Sequence, residues 1–514
     1  MFKYGIDHLT ARKAIAILRG SLEAEVSSEA RKKVEQCHQH VLHIAKGDEA
    51  VYGINTGFGP LCNTIIAKEE TAKLQKNLLI SHSVGVGNPI DKDLSKLMLI
   101  LKIHSLCQGY SGISLEIIER LIWHVEEDII PVVPEQGSVG ASGDLAPLSH
   151  LFLPLLGEGE VFLNGKRHST RKVLKEQSIQ PIALHPKAGL ALINGTQFIL
   201  AHAVTLVEQL HSCLSHADLI AAMMIEGLKA SSMPFHKELH RVRPHRGSVH
   251  VASLVSHYLK DSPIVASHHD CDRVQDPYSL RCVPQVHGSS RNAWHHLKEA
   301  VEVEMNSVTD NPVVFSEDFT ISGGNFHGQP LALPIDYACL AAAELGSISD
   351  RRTYLALDGK YDIPKLLMRD TGVNSGFMIV QYTSAALVSE NKGLCFPASA
   401  DSIPTSMGQE DHVSMGSIGG RKAIKVCTNL EKILAIELLC ASQALEFQRP
   451  LKSTPLLEKV LGNVRGKVAF AEKDRIFSND INALTSLIQS TELLKITAPE
   501  IKGVSPYHEQ FELF

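Results

Sequence analysis

The spacing of apolar and polar residues along the chain has mainly the periodicity of α-helices. Residues 196–214 and 219–228 are apolar around most of the helical circumference, so the helices they predict must be surrounded by other helices. A second long stripe of leucine and alanine predicts a helix over 430–445 that ends before Pro450. Shorter stretches of helical periodicity predict further helices over 94–106, 115–125, 334–357 and 481–494.

Strand signals are few. Residues 161–166 predict a β-hairpin because Asn164-Gly165 favours a tight turn, and residues 313–321 predict another. The predicted fold is therefore mainly α, a large helical bundle with small β excursions. A soft boundary lies near residue 195, where glycine-rich loops give way to long helices. It predicts an N-terminal helical domain over 1–195, and a long-helix bundle with C-terminal helices over 196–514.

Composition narrows the class of protein. The 50 Lys and Arg against 56 Asp and Glu give a net charge of −6, which argues against a protein that coats nucleic acid or an anionic membrane. No unbroken apolar run reaches the roughly 18 residues of a membrane span. The N-terminus lacks the apolar core of a signal peptide, and the ten scattered cysteines contain no CxxC pair. We expect a cytoplasmic protein with neither nucleic-acid nor membrane partners.

Glycine-rich loops between the predicted helices are where chemistry is expected, because glycine lets the backbone bend tightly or approach a ligand. The most informative is GSVGASGDLAPL, residues 137–148. It contains neither GxGxxG nor GxxxxGK, the patterns of phosphate-binding loops. Gly143 directly after Ser142 breaks the GxSxG pattern of hydrolases. A plain tight turn remains open as an interpretation.

The Ala141-Ser142-Gly143 tripeptide also permits a reaction of its own. If the amide nitrogen of Gly143 meets the carbonyl carbon of Ala141, the peptide closes into a five-membered ring. Loss of water, including the Ser142 hydroxyl, then leaves an exocyclic methylene. Small residues suit such a ring because bulkier side chains would obstruct the compressed backbone. The product would be an electrophile, which unmodified side chains do not offer.

This loop resembles the signature of the aromatic amino acid ammonia-lyases, which make a 4-methylideneimidazol-5-one (MIO) group from Ala-Ser-Gly. Other motifs of that family follow in order along nearly the whole chain: YGINTGFG at 52–59, NGTQ at 194–197, QDPYSLR at 275–281, TDNP at 309–312 and QEDH at 409–412. The resemblance implies a fold of the ammonia-lyase and fumarase/aspartase-like type, and a carbon–nitrogen lyase with no external cofactor. It also implies a homotetramer with shared active sites. One functional unit is then expected, rather than the three or four domains that about 150 residues per domain would predict.

The resemblance also implies roles for individual residues. Eliminating ammonia requires an electrophile that makes the amine a better leaving group, and a base that takes the β-proton. The implied catalytic residues are Ala141, Ser142 and Gly143 as the source of the ring, Tyr52 as the base, and Tyr278 and Asn194 as orienting groups. The implied substrate-binding residues are His82, Glu410, Gln275, Asn311, Phe326 as a shield for the ring, and Arg281. Arg281 suits a substrate carboxylate because guanidinium presents a bidentate fork.

Two of these positions bear on the choice of substrate. His82 follows Ser81 where the resemblance places the group that selects the substrate ring, and Glu410 supplies a carboxylate able to hold an imidazole N–H. Either residue alone is ordinarily a structurally paired side chain. Together they favour an imidazole over a phenyl ring, because polar groups left unpaired penalise an apolar ring strongly. The prediction is elimination of ammonia from L-histidine to trans-urocanate, the first step of histidine degradation. A tyrosine or phenylalanine ammonia-lyase, or an aminomutase of the same family, is the alternative.

Three other classes of protein compete with this interpretation. ASSMP at 230–234 weakly resembles the fumarase/aspartase signature, but the expected Lys-x-Asn does not follow. The clusters at 37–40 and 268–271 lack a distant partner pair with metal-ligand spacing, so no metal site is predicted. A helical scaffold protein would explain the bundle but not the Ala-Ser-Gly loop.

Overall fold

The structure is a computed structural model that describes residues 1–47, 49–57, 59, 66–67, 70–268 and 273–514. Phe58 of the 52–59 motif, Cys62, and residues 269–271 of the histidine-cysteine cluster lie outside the described residues. The predicted fold class is confirmed, because the described chain is mainly α-helix with short strands. Its α-helices are α1 Ala11–Leu18, α2 Ser28–Ile44, α3 Thr71–His82, α4 Lys92–Leu106, α5 Leu115–Glu126, α6 Leu145–Phe152, α7 Thr170–Glu176, α8 Ala188–Ile193, α9 Gln197–Gly227, α10 Lys237–Arg241, α11 Arg246–Tyr258, α12 Pro263–Ala266, α13 Tyr278–Arg281, α14 Val283–Met305, α15 Gln329–Ala356, α16 Met378–Leu394, α17 Gly416–Phe447, α18 Pro455–Arg465, α19 Phe477–Gln489, α20 Glu492–Ile501 and α21 His508–Glu512.

The strands are short and form small separate sheets. They are β1 Phe2–Lys3, β2 Ala24–Glu25, β3 Val86–Pro89, β4 Ile130–Pro131, β5 Pro134–Gln136, β6 Glu160–Leu163, β7 Lys166–Ser169, β8 Val313–Val314 and β9 Thr320–Ile321. The predicted hairpin is confirmed: β6 pairs antiparallel with β7, and Phe162 lies opposite Arg167. Asn164 and Gly165 have φ of 50° and 72°, as a two-residue turn of this kind requires. The second predicted hairpin corresponds to β8 and β9.

Three predictions differ in extent from the structure. The helix predicted over 430–445 is part of the longer α17, which begins at Gly416. The segments 196–214 and 219–228 form one uninterrupted helix, α9, because nothing between them ends the apolar periodicity. The predicted helix over 481–494 is wrong as a single element. Thr491 has φ of +56°, a conformation in which a helix cannot continue, and the chain divides there into α19 and α20.

The chain forms two compact units. Unit 1 comprises residues 1–205, 297–336 and 397–421, and unit 2 comprises residues 206–296, 337–396 and 422–514. Both units are discontinuous in sequence. The division into domains 1–195 and 196–514 stays a prediction.

The core of unit 1 is built on α4. Every residue of this helix from Leu97 to Leu106 is buried, and the helix packs against α1 and α5. The short helix α8 is buried along its whole length and packs against α3 and α6. The loops that end or begin at α3, α6 and α8 are therefore anchored on a solid core.

Unit 2 has ion pairs within its core. The fully buried Arg291 guanidinium bonds to Asp218 at 2.7 Å and to Glu512 at 2.9 Å. The fully buried Arg352 pairs with Glu437. The carboxylates and hydrogen bonds around these two guanidinium groups offset the cost of burying their charge. The contact to Glu512 fixes the C-terminal helix α21 to this part of the core.

Among the described residues, α15 is long and apolar enough to cross a membrane by length and composition. However, 61% of its most apolar window is buried inside the protein. The same helix also carries the fully buried charged residues Asp350 and Arg352. Both features are typical of a helix in a protein core.

Candidate active site

A cavity of about 1540 Å³ lies in unit 1 and brings together residues that are far apart in sequence. Its walls come from the loop after Ala50, the end of α3, the start of α6, the end of α8, the loop before α15 and the loop before α17. The predicted site residues that line it are Tyr52, His82, Ala141, Ser142, Asn194, Asn311, Phe326 and Glu410.

The tripeptide Ala141-Ser142-Gly143 lies in a tightly folded loop of this cavity. Ala141 and Gly143 face each other across Ser142 in a β-bridge, and Gly143 forms a second bridge to Gly195. Gly143 has φ of +74°, and a Cβ there would lie 2.1 Å from the carbonyl oxygen of Gly195. No residue except glycine fits at position 143.

The following residue, Asp144, anchors the loop to the start of α9. Its carboxylate accepts hydrogen bonds from the amide of Ile199 at 2.9 Å and from the hydroxyl of Ser138 at 3.1 Å. Its own amide donates to the Gly195 carbonyl at 2.7 Å. Burial raises the pKa of Asp144 to about 7, although both hydrogen bonds oppose that shift. The carboxyl group therefore serves to hold the loop, and it has no contact with solvent.

Ser142 is hydrogen-bonded to Glu410. The serine hydroxyl donates to Oε1 of Glu410 at 2.5 Å. The other carboxylate oxygen accepts from the hydroxyls of Thr405 at 2.8 Å and Ser406 at 3.0 Å. A backbone bond from Thr405 to Glu410 at 2.9 Å closes the same loop. One oxygen of the Glu410 carboxylate is thus held by its own loop, and the other contacts the tripeptide.

Asn194 holds the tripeptide through a different atom. Its Nδ2 donates to the carbonyl oxygen of Ser142 at 2.7 Å. Its Oδ1 is buried and has no hydrogen-bond partner within the described part of the chain. Its main-chain carbonyl accepts a 2.7 Å hydrogen bond from Nζ of Lys102. The Asn194 side chain therefore has a fixed donor and a free acceptor.

His82 ends α3 at the wall of the cavity. Its Nδ1 lies 3.0 Å from the hydroxyl of Ser81. Burial lowers the pKa of His82, while the backbone of Leu78 and the charge of Glu410 oppose that shift. The neutral imidazole is the favoured form, and it can both donate and accept hydrogen bonds.

Tyr52 lies in a glycine-rich loop and Asn311 in the loop before β8, and both line the cavity. The Tyr52 hydroxyl accepts from the amide of Gly59 at 3.4 Å. The Asn311 amide donates to Ser322 at 3.0 Å and accepts from the amide of Gly323 at 2.7 Å. In this structure both ends of the Asn311 side chain hold the loop that leads to Phe326.

Gln275, Tyr278 and Arg281 do not line the cavity. They belong to unit 2 and contact one another. Nη2 of Arg281 donates to Oε1 of Gln275 at 2.9 Å, and the guanidinium lies 4.6 Å from the centroid of the Tyr278 ring. Tyr278 is 71% exposed. Within one chain, these three residues form a surface cluster of their own.

Sequence reasoning missed three residues of this region. His327 and His412 line the cavity, and their stacked rings have centroids 5.4 Å apart. His412 belongs to the 409–412 motif and His327 follows Phe326, so their positions were a usable signal. Lys102 was missed because a single lysine in a helix does not reveal its direction. Its signal was the apolar sequence around it, which predicts burial of that helix on every face.

Comparison with known proteins identifies the family. Residues 9–466 match the aromatic amino acid lyase family. The chain is 45% identical over 490 residues to histidine ammonia-lyase of Myxococcus xanthus, covering 95% of this chain and 96% of the relative. It is 46% identical over 484 residues to histidine ammonia-lyase of Vibrio cholerae, covering 94% and 95%. The crystal structure of histidine ammonia-lyase from Trypanosoma cruzi matches with a TM-score of 0.90 at 40% identity, covering 99% of this chain and 96% of that chain.

The helical fold and the match to this family define the class of protein as a large helical lyase. The chain belongs to the aromatic amino acid lyase family. It is an enzyme, a carbon–nitrogen lyase. The resemblance inferred from the motifs is confirmed.

Proposed function

We propose that this enzyme eliminates ammonia from L-histidine and releases trans-urocanate, the first step of histidine degradation. The observation that carries the proposal is the contact of Ser142 with Glu410 in a cavity that His82 also lines. Glu410 offers a carboxylate and His82 a neutral imidazole to the polar ring of a substrate. The relatives named above are histidine ammonia-lyases, and this chain matches them over nearly their whole length.

We propose that Ala141, Ser142 and Gly143 form an MIO group. The loop fits it: position 143 has no room for a Cβ, and Oδ1 of Asn194 is a buried acceptor without a partner among the described residues. Ring closure and dehydration remove two water molecules, one of which carries the Ser142 hydroxyl oxygen. The group supplies an electrophile to the reaction. Asn194 would hold it through the Ser142 carbonyl oxygen, and Asp144 through the adjoining backbone.

The remaining residues bind the substrate and move its proton. Loss of the Ser142 hydroxyl removes the donor that now occupies Oε1 of Glu410, so that oxygen becomes available to an imidazole N–H. His82 pairs with the same ring. Tyr52, in its phenolate form, takes the β-proton and becomes the neutral phenol, a role typically worth about 10²–10⁴ in rate. Phe326 covers the reacting centre from the cavity wall, and Asn311 holds the loop on which Phe326 lies.

We propose that the enzyme is a homotetramer in which Gln275, Tyr278 and Arg281 complete the site of another subunit. Arg281 then binds the substrate carboxylate, and Tyr278 and Gln275 orient the substrate. Support comes from large apolar side chains that are exposed on α15 and α16, namely Tyr337, Leu340, Tyr354, Ile379 and Tyr382. Exposed apolar groups gathered on neighbouring elements are typical of a protein–protein contact. We also propose a cytoplasmic location, with neither nucleic acid nor membrane as a partner.

Purified enzyme mixed separately with L-histidine, L-tyrosine and L-phenylalanine tests the substrate. We expect urocanate absorbance and ammonia release with L-histidine, and turnover of the other two at least roughly tenfold slower. Faster ammonia release from tyrosine or phenylalanine would overturn the assignment in favour of the alternative within the family. Intact mass reports the ring separately: the wild-type chain should lack two waters and the S142A chain should not. S149A is the matched control, because Ser149 is a nearby buried serine whose hydroxyl donates to the Leu145 carbonyl.

A further inference from the structure

Lys102 is a completely buried cation behind the tripeptide loop. It lies on α4 and is 1% exposed. Its Nζ donates to the main-chain carbonyl of Asn194 at 2.7 Å and lies 3.5 Å from Oε1 of Gln197. A Cβ on Gly195 would lie 3.3 Å from the same Nζ. The ammonium is therefore packed directly against the turn 194–197.

The surrounding charges do not account for its position. Asp310 is the acid whose charge favours the protonated form of Lys102, but its carboxylate is bonded to Lys187 at 2.6 Å and to Ser111 at 2.8 Å. Among the described residues no carboxylate forms an ion pair with Lys102. A buried cation without a carboxylate partner is costly, and burial lowers the pKa of Lys102 to about 7. The nearest strong acceptor is the carbonyl oxygen of Asn194.

That carbonyl belongs to the residue that holds the tripeptide. Nδ2 of Asn194 donates to the Ser142 carbonyl oxygen at 2.7 Å. Asn194 is therefore held at its main-chain carbonyl by the Lys102 ammonium, while its side-chain amide is bonded to Ser142. A fixed donor aimed at an oxygen favours negative charge on that oxygen, and a cation behind the donor strengthens the effect in a dry site.

We propose that Lys102 is a positioning residue for the elimination reaction, whose ammonium fixes Asn194 so that the Asn194 amide stays on the Ser142 carbonyl oxygen. This inference rests on the proposed function. Lys102 is absent from the cavity lining, so it acts through Asn194 and makes no contact with the substrate.

The decisive variants are K102M, K102R and K102Q, with K96M as the matched control. Lys96 lies on the same helix, is mostly buried and pairs with Asp128 at 3.0 Å, away from the loop. Turnover of L-histidine is measured per matured chain, counted by intact mass. Hydrogen–deuterium exchange of the peptide that contains residues 194–197 gives a readout that does not depend on activity.

We expect K102M to lower kcat roughly 10- to 100-fold, the range for loss of a hydrogen bond to a charged group, with KM changed less than about threefold. Exchange over 194–197 should rise in K102M and not in K96M. K102R, which keeps the charge, should retain at least ten times the kcat of K102Q. If K102M does not fold, the comparison of K102R with K102Q decides.

Equal kcat in K102M and wild type, or in K102R and K102Q, would overturn the inference. Failure of all three variants to fold would also overturn it, because a purely structural lysine then accounts for the contact. If the wild-type enzyme does not act on L-histidine, the proposed function fails. The exchange comparison then still decides whether Lys102 fixes Asn194.

Discussion

The hydroxyl of Ser142 donates a 2.5 Å hydrogen bond to Oε1 of Glu410, although 268 positions separate the two residues in the chain. One end of the contact lies just before α6 and the other in the loop before α17. The second oxygen of Glu410 is held by Thr405 and Ser406, so the carboxylate is fixed whether or not the serine hydroxyl is present. In the proposed function, this pair links ring formation by the tripeptide to recognition of the substrate ring.

Replacing Glu410 by glutamine should lower kcat/KM for L-histidine roughly 10- to 100-fold, because a neutral amide is a weaker acceptor for an imidazole N–H. Steady-state kinetics on E410Q measures this. The control is E119Q, which removes a surface ion pair with Arg31 and should leave kcat/KM unchanged. An E410Q enzyme as active as the wild type would show that Glu410 does not bind the ring.

Replacing His82 by leucine should raise KM for L-histidine at least roughly tenfold, because an apolar wall leaves the imidazole of the substrate unpaired. The ratio of kcat/KM for histidine to that for phenylalanine measures the change in selectivity. S83A is the control, since Ser83 bonds to the Leu79 carbonyl and is not part of the cavity wall. Unchanged KM in H82L would make His82 a structural residue.

Replacing Gly143 by alanine should prevent ring formation, because the new Cβ would lie 2.1 Å from the Gly195 carbonyl oxygen. Intact mass should then show a chain that keeps both waters. G165A is a close control: Gly165 has φ of +72°, nearly that of Gly143, but nothing lies within 4 Å of its Cβ position. That variant bears only the backbone strain of roughly 1–2 kcal/mol that a side chain has at positive φ, and it should mature normally. Two waters missing from G143A would contradict the proposed compression.

The buried pair of Glu512 and Arg291 should make the free energy of unfolding depend on pH in the acid range. Burial opposes ionisation of Glu512, but Arg291 and His250 outweigh it and lower the pKa to about 2. Because the folded state binds this proton less readily than the unfolded state, the stabilisation is fully present above about pH 4.5. It is lost as pH falls toward 2. The stabilisation lost is roughly 3 kcal/mol.

Thermal unfolding of E512Q between pH 7 and pH 3 tests this. The variant should melt at a lower temperature than the wild type at pH 7, and the difference should shrink as pH falls. E509Q changes an exposed residue of the same helix α21 and should follow the wild-type curve. A constant difference at every pH would show that the pair contributes packing rather than charge.

The long helices were predictable because burial of a helix on all sides leaves an apolar sequence that no other element would carry. That signal identified α9 and the C-terminal half of α17, although not their full extent. The division between α19 and α20 was not predictable, since it depends on the backbone conformation of Thr491 alone. A single residue with positive φ leaves no periodic signal.

The tripeptide could be recognised from sequence because its chemistry depends on three adjacent residues. The motifs likewise identified Tyr52, Asn194 and Glu410 as candidate site residues without any knowledge of their positions in the fold. Their meeting in one cavity could not be derived from spacing, because it depends on which loops the core of unit 1 anchors at the same place.

The sequence by itself therefore determined the helical class and the family, and it supplied the residues proposed to carry the chemistry, since these depend on local pattern and residue type. Only the tertiary structure decided three hydrogen bonds. Ser142 donates to Glu410, the Asn311 side chain accepts from the amide of Gly323, and Lys102 donates to the main-chain carbonyl of Asn194. Hydrogen bonds between distant residues are fixed by the direction of side chains within a packed core. That direction is a property of the whole fold, and no single segment of the sequence contains it.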